Sequence, residues 1–330
     1  QAAMRVLFPL LGQDLRLLGL AVFPDTTPDP KYWAPKIRGT IFRDCLGRQV
    51  HWNALTASRQ VNVDVTRDEA IAAINFFSRL EWVLVALFGN TPMIRGKMEG
   101  SLAFRNEVWS HFLDERDRTR LALPRPMESF EDYVRFLLDQ TVLLWKNSGG
   151  EMVCPRVRAV DLFEGMTGNE LWDAFVLHEG TCWITSGRLR PSGYLEVRPI
   201  CAQAEGSLAP EAFILGLLNN RDAAEEVLAQ FDREDPSPDA LTWRMRTAYT
   251  DGMSFPLAAQ AVSQLLGIAW DSLPFPERRH LRIPYESLRY RMNPAQNMRG
   301  IDGIPGSVSG FEILSTLRPE KFGILDLVST

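Results

Sequence analysis

The chain has 330 residues, 45% apolar and 23% charged, with a formal net charge of −5. Those are the proportions of an ordinary folded protein of one large domain or two smaller ones. The acidic balance gives no basic groove for nucleic acid, and neither a membrane-spanning apolar run nor a signal-peptide pattern is expected. Four cysteines, Cys45, Cys154, Cys182 and Cys201, are scattered without a C-x-x-C pair. This usage predicts reduced cytoplasmic thiols rather than a disulfide framework or zinc site. Four unpaired histidines add little for a transition metal.

In chain order, Val6 to Leu17 reads as a helix and Leu18 to Phe23 as an apolar strand ended by Pro24. A Pro- and Thr-rich loop, Asp25 to Pro35, follows and holds Lys31-Tyr32-Trp33. Ile37 to Leu46 is predicted helical, with Gly47 ending it. Thr56 to Val65 alternates like a strand: Val61, Val63 and Val65 share one face, while Gln60, Asn62 and Asp64 share the other. A sheet with one packed face and one lining a polar cavity has this pattern. Asp68 to Phe88 predicts a long amphipathic helix, its acidic start suited to the positive end of the dipole. It stops at Gly89-Asn90-Thr91-Pro92, and a loop leads to Ser101 to Trp109.

The charge cluster Asp114 to Arg120 has the composition of a solvated face, and Phe130 to Asp139 that of an amphipathic packing helix. Ser148 to Val160 is looser, with a turn at Gly149-Gly150, and Leu162 to Gly180 is helical. His178 in that region is read as a structural donor. Gly193 to Arg198 alternates again, placing Leu195 and Val197 on one face and Glu196 and Arg198 on the other. Helices are predicted at Pro210 to Leu218, Ala223 to Phe231, Asp239 to Thr250 and Pro256 to Leu266, making residues 221–330 a helical C-terminal portion. Met298 to Gly303 is read as an ordinary Gly-rich turn, and no repeat or low-complexity tract is present.

Four stretches together resemble the glutamate–cysteine ligases of the plant and bacterial type, relatives of the carboxylate–amine ligases. They are Thr56-Ala-Ser-Arg-Gln-Val-Asn-Val-Asp64, Ala86-Leu-Phe-Gly-Asn-Thr-Pro92, Ser101-Leu-Ala-Phe-Arg-Asn-Glu-Val-Trp109 and Tyr194-Leu-Glu-Val-Arg198. Gly89 and Thr91 depart slightly from the family's Ala and Ser, and Arg118-Thr119 matches a D-P-x-R-T-G motif in which Arg120 replaces glycine. The resemblance covers roughly residues 5 to 220. It implies an α+β fold, a curved antiparallel sheet backed by helices like that of glutamine synthetase, in a single carboxylate–amine ligase domain. It also implies ATP and magnesium on the concave face, with Gln60 and Glu196 as metal ligands. Arg105, Arg118 and Arg198 become contacts to glutamate or the γ-phosphoryl group.

Joining a carboxylate to an amine needs an activated acyl group and fixed cations to hold carboxylate and phosphoryl oxygens in line. Arginine suits that task through its planar fork. The expected partners are glutamate, an amine acceptor such as cysteine, and a second copy of the chain. In these ligases a Glu-x-Glu strand supplies further metal carboxylates and precedes the part matching residues 1–24. The numbered chain starts at Gln1 without such a strand, which points to a longer gene product. A homologue without turnover serving as a regulatory subunit, and a plain helical binding module, are the competing readings.

Overall fold

In the computed structural model the described residues are 19–24, 27–33, 36–98, 100–203, 207–237 and 239–300. The helix expected at Val6 to Leu17 lies outside them, as does the tail beyond residue 300.

The longest element among the described residues is the helix Arg67–Phe88. Thr66 and Glu69 close a reciprocal capping box at its start, satisfying two of the donors a helix N-terminus leaves open. From Leu80 to Phe88 every residue is buried, and Phe77, Leu80, Val83 and Leu84 have no exposed surface. Contrary to the expectation from sequence, this helix is long and apolar enough to cross a membrane by length and composition. However, 72% of its most apolar window is buried inside the protein, so it serves as the core.

Three strands form a sheet, β1 (Val61–Asp64), β4 (Gly187–Arg190) and β5 (Tyr194–Val197), in the order β1-β5-β4, all antiparallel, with β4 and β5 against the helix. β2 (Trp145–Lys146) and β3 (Met152–Val153) form a separate hairpin around the predicted glycine turn. The three valines of the first strand segment pack on the core while Asn62 and Asp64 are exposed, as the alternation requires. The antiparallel sheet with helices behind it therefore holds, in a smaller form than the resemblance implies. The described part of the Leu18 to Phe23 segment runs alongside, Val22 bridging Thr56.

Register arithmetic exposes one irregularity. Val61 faces Val197, but Ser58 bridges Cys201, so three steps on one strand oppose four on the other. The extra residue falls within Arg198-Pro199-Ile200, a β-bulge in which Pro199 has no N–H to offer the ladder.

Helices Ala209–Asn219, Arg221–Glu234, Ala240–Asp251 and Pro256–Ser272 complete the far side of the core. Further helices follow at Phe275–Arg278, Arg282–Tyr290 and Pro294–Arg299. Met298 and Arg299 thus end a helix capped by Asn293 and Gln296, the rest of the expected Gly-rich turn, residues 301–303, lying outside the described residues. Asn293 donates to the Ala86 carbonyl at 3.0 Å.

The cysteine expectation is corrected. Cys45 and Cys154 form a disulfide, because helix Ile37–Leu46 packs on the hairpin; Cys182 and Cys201 are free and buried. A sequence separation of 109 residues hides that proximity.

Gly216 is where two C-terminal helices touch. A Cβ there would lie 2.6 Å from the Ala269 carbonyl oxygen and 2.7 Å from its Cα. Gly216→Ala should lower stability by about 1–3 kcal/mol despite alanine's better helix propensity, because backbone must shift. An unchanged urea midpoint would refute that close packing.

Candidate functional site

The site grows from the bulge. Its two carbonyls are taken up by side chains of the segment that follows the central helix: Arg105 Nη1 donates to the Arg198 oxygen at 2.7 Å, and Asn106 Nδ2 to the Pro199 oxygen at 2.7 Å. Pairing these carbonyls lets an irregular strand end stay buried. Arg105, Asn106, Trp109, Trp183, Thr185 and Arg198 then line a small cleft at the edge of the sheet. The Trp109 and Trp183 rings meet at a tilt of 36°, 4.8 Å between centroids.

Three of the residues expected from sequence are brought together. Arg105 is 7% exposed and Arg198 Nε lies 3.6 Å from Glu196 Oε1. Gln60 is exposed and precedes Val61, at the point where the bulge interrupts the register of β1 and β5. Arg118 is exposed at the end of a short helix, Glu115–Arg118, where its Nε donates to the Leu113 carbonyl at 3.0 Å. Arg120, the departure from the family motif, is fully buried. Its guanidinium bonds Asp117, Thr141 and the Thr181 carbonyl, and Asp117 also pairs with Arg156. It is a structural knot. His178 behaves as expected of a structural donor: it is buried against the Leu137 carbonyl at 2.7 Å, and burial pushes its pKa down to about 4. The neighbouring Cys182 thiol is pushed up to about 12 by burial, so this pair is not an activated nucleophile.

The sequence reading missed β4 and its cations. Arg190 Nη2 reaches Glu196 Oε2 at 3.0 Å, and Arg188, opposite Glu196 in the register, forms a bidentate pair with Glu179. It also missed Glu81, the buried carboxylate of the central helix. Burial raises the Glu81 pKa to about 7, although Thr185, Arg105 and Arg198 pull it back. Its Oε1 has no hydrogen-bond partner, and neither has Arg198 Nε. Burial, then the adjacent Arg105, lowers the Arg198 pKa to about 10, leaving the guanidinium cationic at neutral pH.

These donors suit an oxyanion. They do not suit magnesium, whose sites use carboxylates besides substrate phosphates. Glu196 has both oxygens turned to arginines, and among the described residues no three His, Cys, Asp or Glu side chains group as a metal site.

The family model described as glutamate–cysteine ligase family 2 matches residues 7–264. The chloroplastic glutamate–cysteine ligase of Brassica juncea is 25% identical over 263 residues, 74% of this chain and 49% of that protein. That of Medicago truncatula is 25% identical over 288 residues, 81% and 53% respectively. The chain spans about half the length of the curated relatives it matches.

Glu81 gives the site a pH signature. With its folded pKa near 7 against 4.5 unfolded, the folded state binds the extra proton between those values, so stability falls as pH rises through that window. The full cost, about 3 kcal/mol from a shift of that size, is present above pH 7. Glu81→Gln should therefore gain stability over the parent at pH 8 and lose that gain near pH 4.5. Parallel melting curves across the range would rule this out.

Proposed function

We propose that this chain, which belongs to glutamate–cysteine ligase family 2, provides the part of a ligase site that holds glutamate and the transferring phosphoryl group. The observation that carries the reading is the meeting of Arg105 and Arg198, from two distant motifs, at one cleft, with Glu196 paired to Arg198 beside it.

The chemistry proposed is formation of a γ-glutamyl amide, with ATP supplying the phosphoryl group that activates the glutamate carboxylate. Arg198, with no hydrogen-bond partner on Nε and a long 3.5 Å bond from Nη1 to the Ile184 carbonyl, has donors to spare for a carboxylate or phosphoryl oxygen. Arg105 spends one N–H on the bulge and adds its charge beside Arg198. Glu196 orients Arg190 and Arg198 toward the same face. Trp109 and Trp183 wall the cleft, and water excluded there strengthens the arginines' hold on developing charge. Cysteine is the favoured acceptor because both relatives are glutamate–cysteine ligases by name; another amine leaves these roles unchanged. No step is assigned to a metal held by Gln60 and Glu196. The second reading, a homologue without turnover, is favoured by the engagement of Glu196 with two arginines.

The test is ADP release by the full-length gene product given ATP, magnesium and glutamate, with and without a panel of amines. Release dependent on cysteine is expected, and Arg198→Lys should lower kcat/KM for glutamate by about 10–100-fold through loss of the planar fork. No release with any amine overturns the ligase reading in favour of the second.

A further inference from the structure

Glu81 sits on the inner side of the central helix among Leu80, Trp82, Val83 and Leu84, all buried. A lone carboxylate in such company is expensive unless positive charge compensates it. The compensation comes from Arg105 and Arg198, yet among the described residues neither guanidinium comes within 4.0 Å of it. Glu81 Oε1 and Arg198 Nε are both buried and both without a hydrogen-bond partner. Arg198 Nε has only the 3.6 Å ion pair with Glu196, too long for a hydrogen bond, so Glu81 and Arg198 are opposite charges held apart, each incompletely satisfied and able to exchange partners.

We propose that Glu81 is the counter-ion the chain supplies to Arg105 and Arg198 in the empty cleft, and that an arriving oxyanion takes over this role while Glu81 takes a proton from solvent. The ligand class is a carboxylate, phosphoryl or sulfate group; the inference rests on the reading that these arginines hold an anion. A second negative charge at the arginines disfavours the ionised carboxylate. Glu81 already titrates near neutrality because it is buried, so a small push suffices.

The other groups facing it do not take its place. Tyr249, from the Ala240–Asp251 helix, and Cys201 are kept protonated by burial. Glu107, beyond Tyr249, is held below the usual carboxylate range by His111. Glu196 is engaged with Arg190 and Arg198, and Arg244 with Asp232. Thr185 lies within hydrogen-bonding reach of Glu81 but donates to the Leu121 carbonyl at 2.9 Å.

Sulfate, which does not titrate near neutral pH, is the probe. It is titrated calorimetrically into the protein at constant ionic strength, in Hepes and in Tris, from pH 6.5 to 8.5, with Arg198→Ala as the control that locates binding. The expected result is uptake approaching one proton and an affinity that weakens by up to about tenfold per pH unit above pH 7. In Glu81→Gln the uptake should vanish and the affinity stay level. Sulfate binding to the parent without proton uptake overturns the proposal whether or not the variant folds, as does unchanged uptake in the variant. No sulfate binding overturns both the proposal and the anion-site reading. Coupled sulfate binding without glutamate-dependent ADP release leaves the counter-ion role standing and removes the ligase reading.

Discussion

Burying a helix from Leu80 to Phe88 on every side removes water from whatever polar group must lie beside it. Each such group then needs a partner inside the protein. Strands β1 and β5 meet this demand by alternation, turning valines and Leu195 to the helix and polar residues away. Where the alternation fails, at the bulge after Val197, two backbone carbonyls come loose in the same dry region. Arg105 and Asn106 are drawn in to satisfy them. A cationic cleft at the sheet edge is thus partly a consequence of closing a strand against an apolar helix.

The arginines can be sorted by what their donors already do. Arg120 has Nε on the Asp117 carbonyl, Nη1 on the Thr181 carbonyl and Nη2 on Asp117 and Thr141, which leaves it little to offer a ligand. Arg244 holds Asp232 and the Phe231 carbonyl through its two terminal nitrogens, over the face of Trp82, with Nε unpartnered but away from the cleft lining. Arg198 makes one long hydrogen bond at 3.5 Å, and its Nε has no hydrogen-bond partner, only an ion pair with Glu196 at 3.6 Å. Full burial alone would have ranked Arg120 first; donor accounting reverses that order. The same accounting separates His178, locked to a carbonyl, from a catalytic base.

Much of this was legible from residue pattern. The apolar run and acidic start of the central helix, the period-two valines of β1 and the Leu195/Val197 alternation of β5 all express local rules that burial reinforces. β4 was missed although Arg188-Leu189-Arg190 alternates, because Gly187 and Pro191 bracket it like a turn. The Pro294–Arg299 helix carried its own signal in Asn293-Pro294 and Gln296, an N-cap, a proline at N1 and a capping-box partner. Glu81 was also readable, as a carboxylate interrupting an apolar helical face. The Cys45–Cys154 bond and the clamp of Arg105 on Arg198 were not, since both depend on tertiary approach across 109 and 93 residues.

Charge balance at the sheet end then decides what the cleft can take. Arg188 is matched by Glu179, and Glu196 is shared between Arg190 and Arg198, with Arg105 beneath. Four guanidiniums against these two carboxylates leave two positive charges, reduced to one when Glu81 is ionised. Such a surplus in a low-dielectric setting favours an oxyanion and repels a bare divalent cation. Because Glu81 sits on the border of ionisation, the surplus is adjustable by a single proton. On the ligase reading proposed above, a cleft meeting first a carboxylate and then a more highly charged phosphoryl group is served by that adjustment, since Arg105 is tied to the bulge and cannot move to follow the charge.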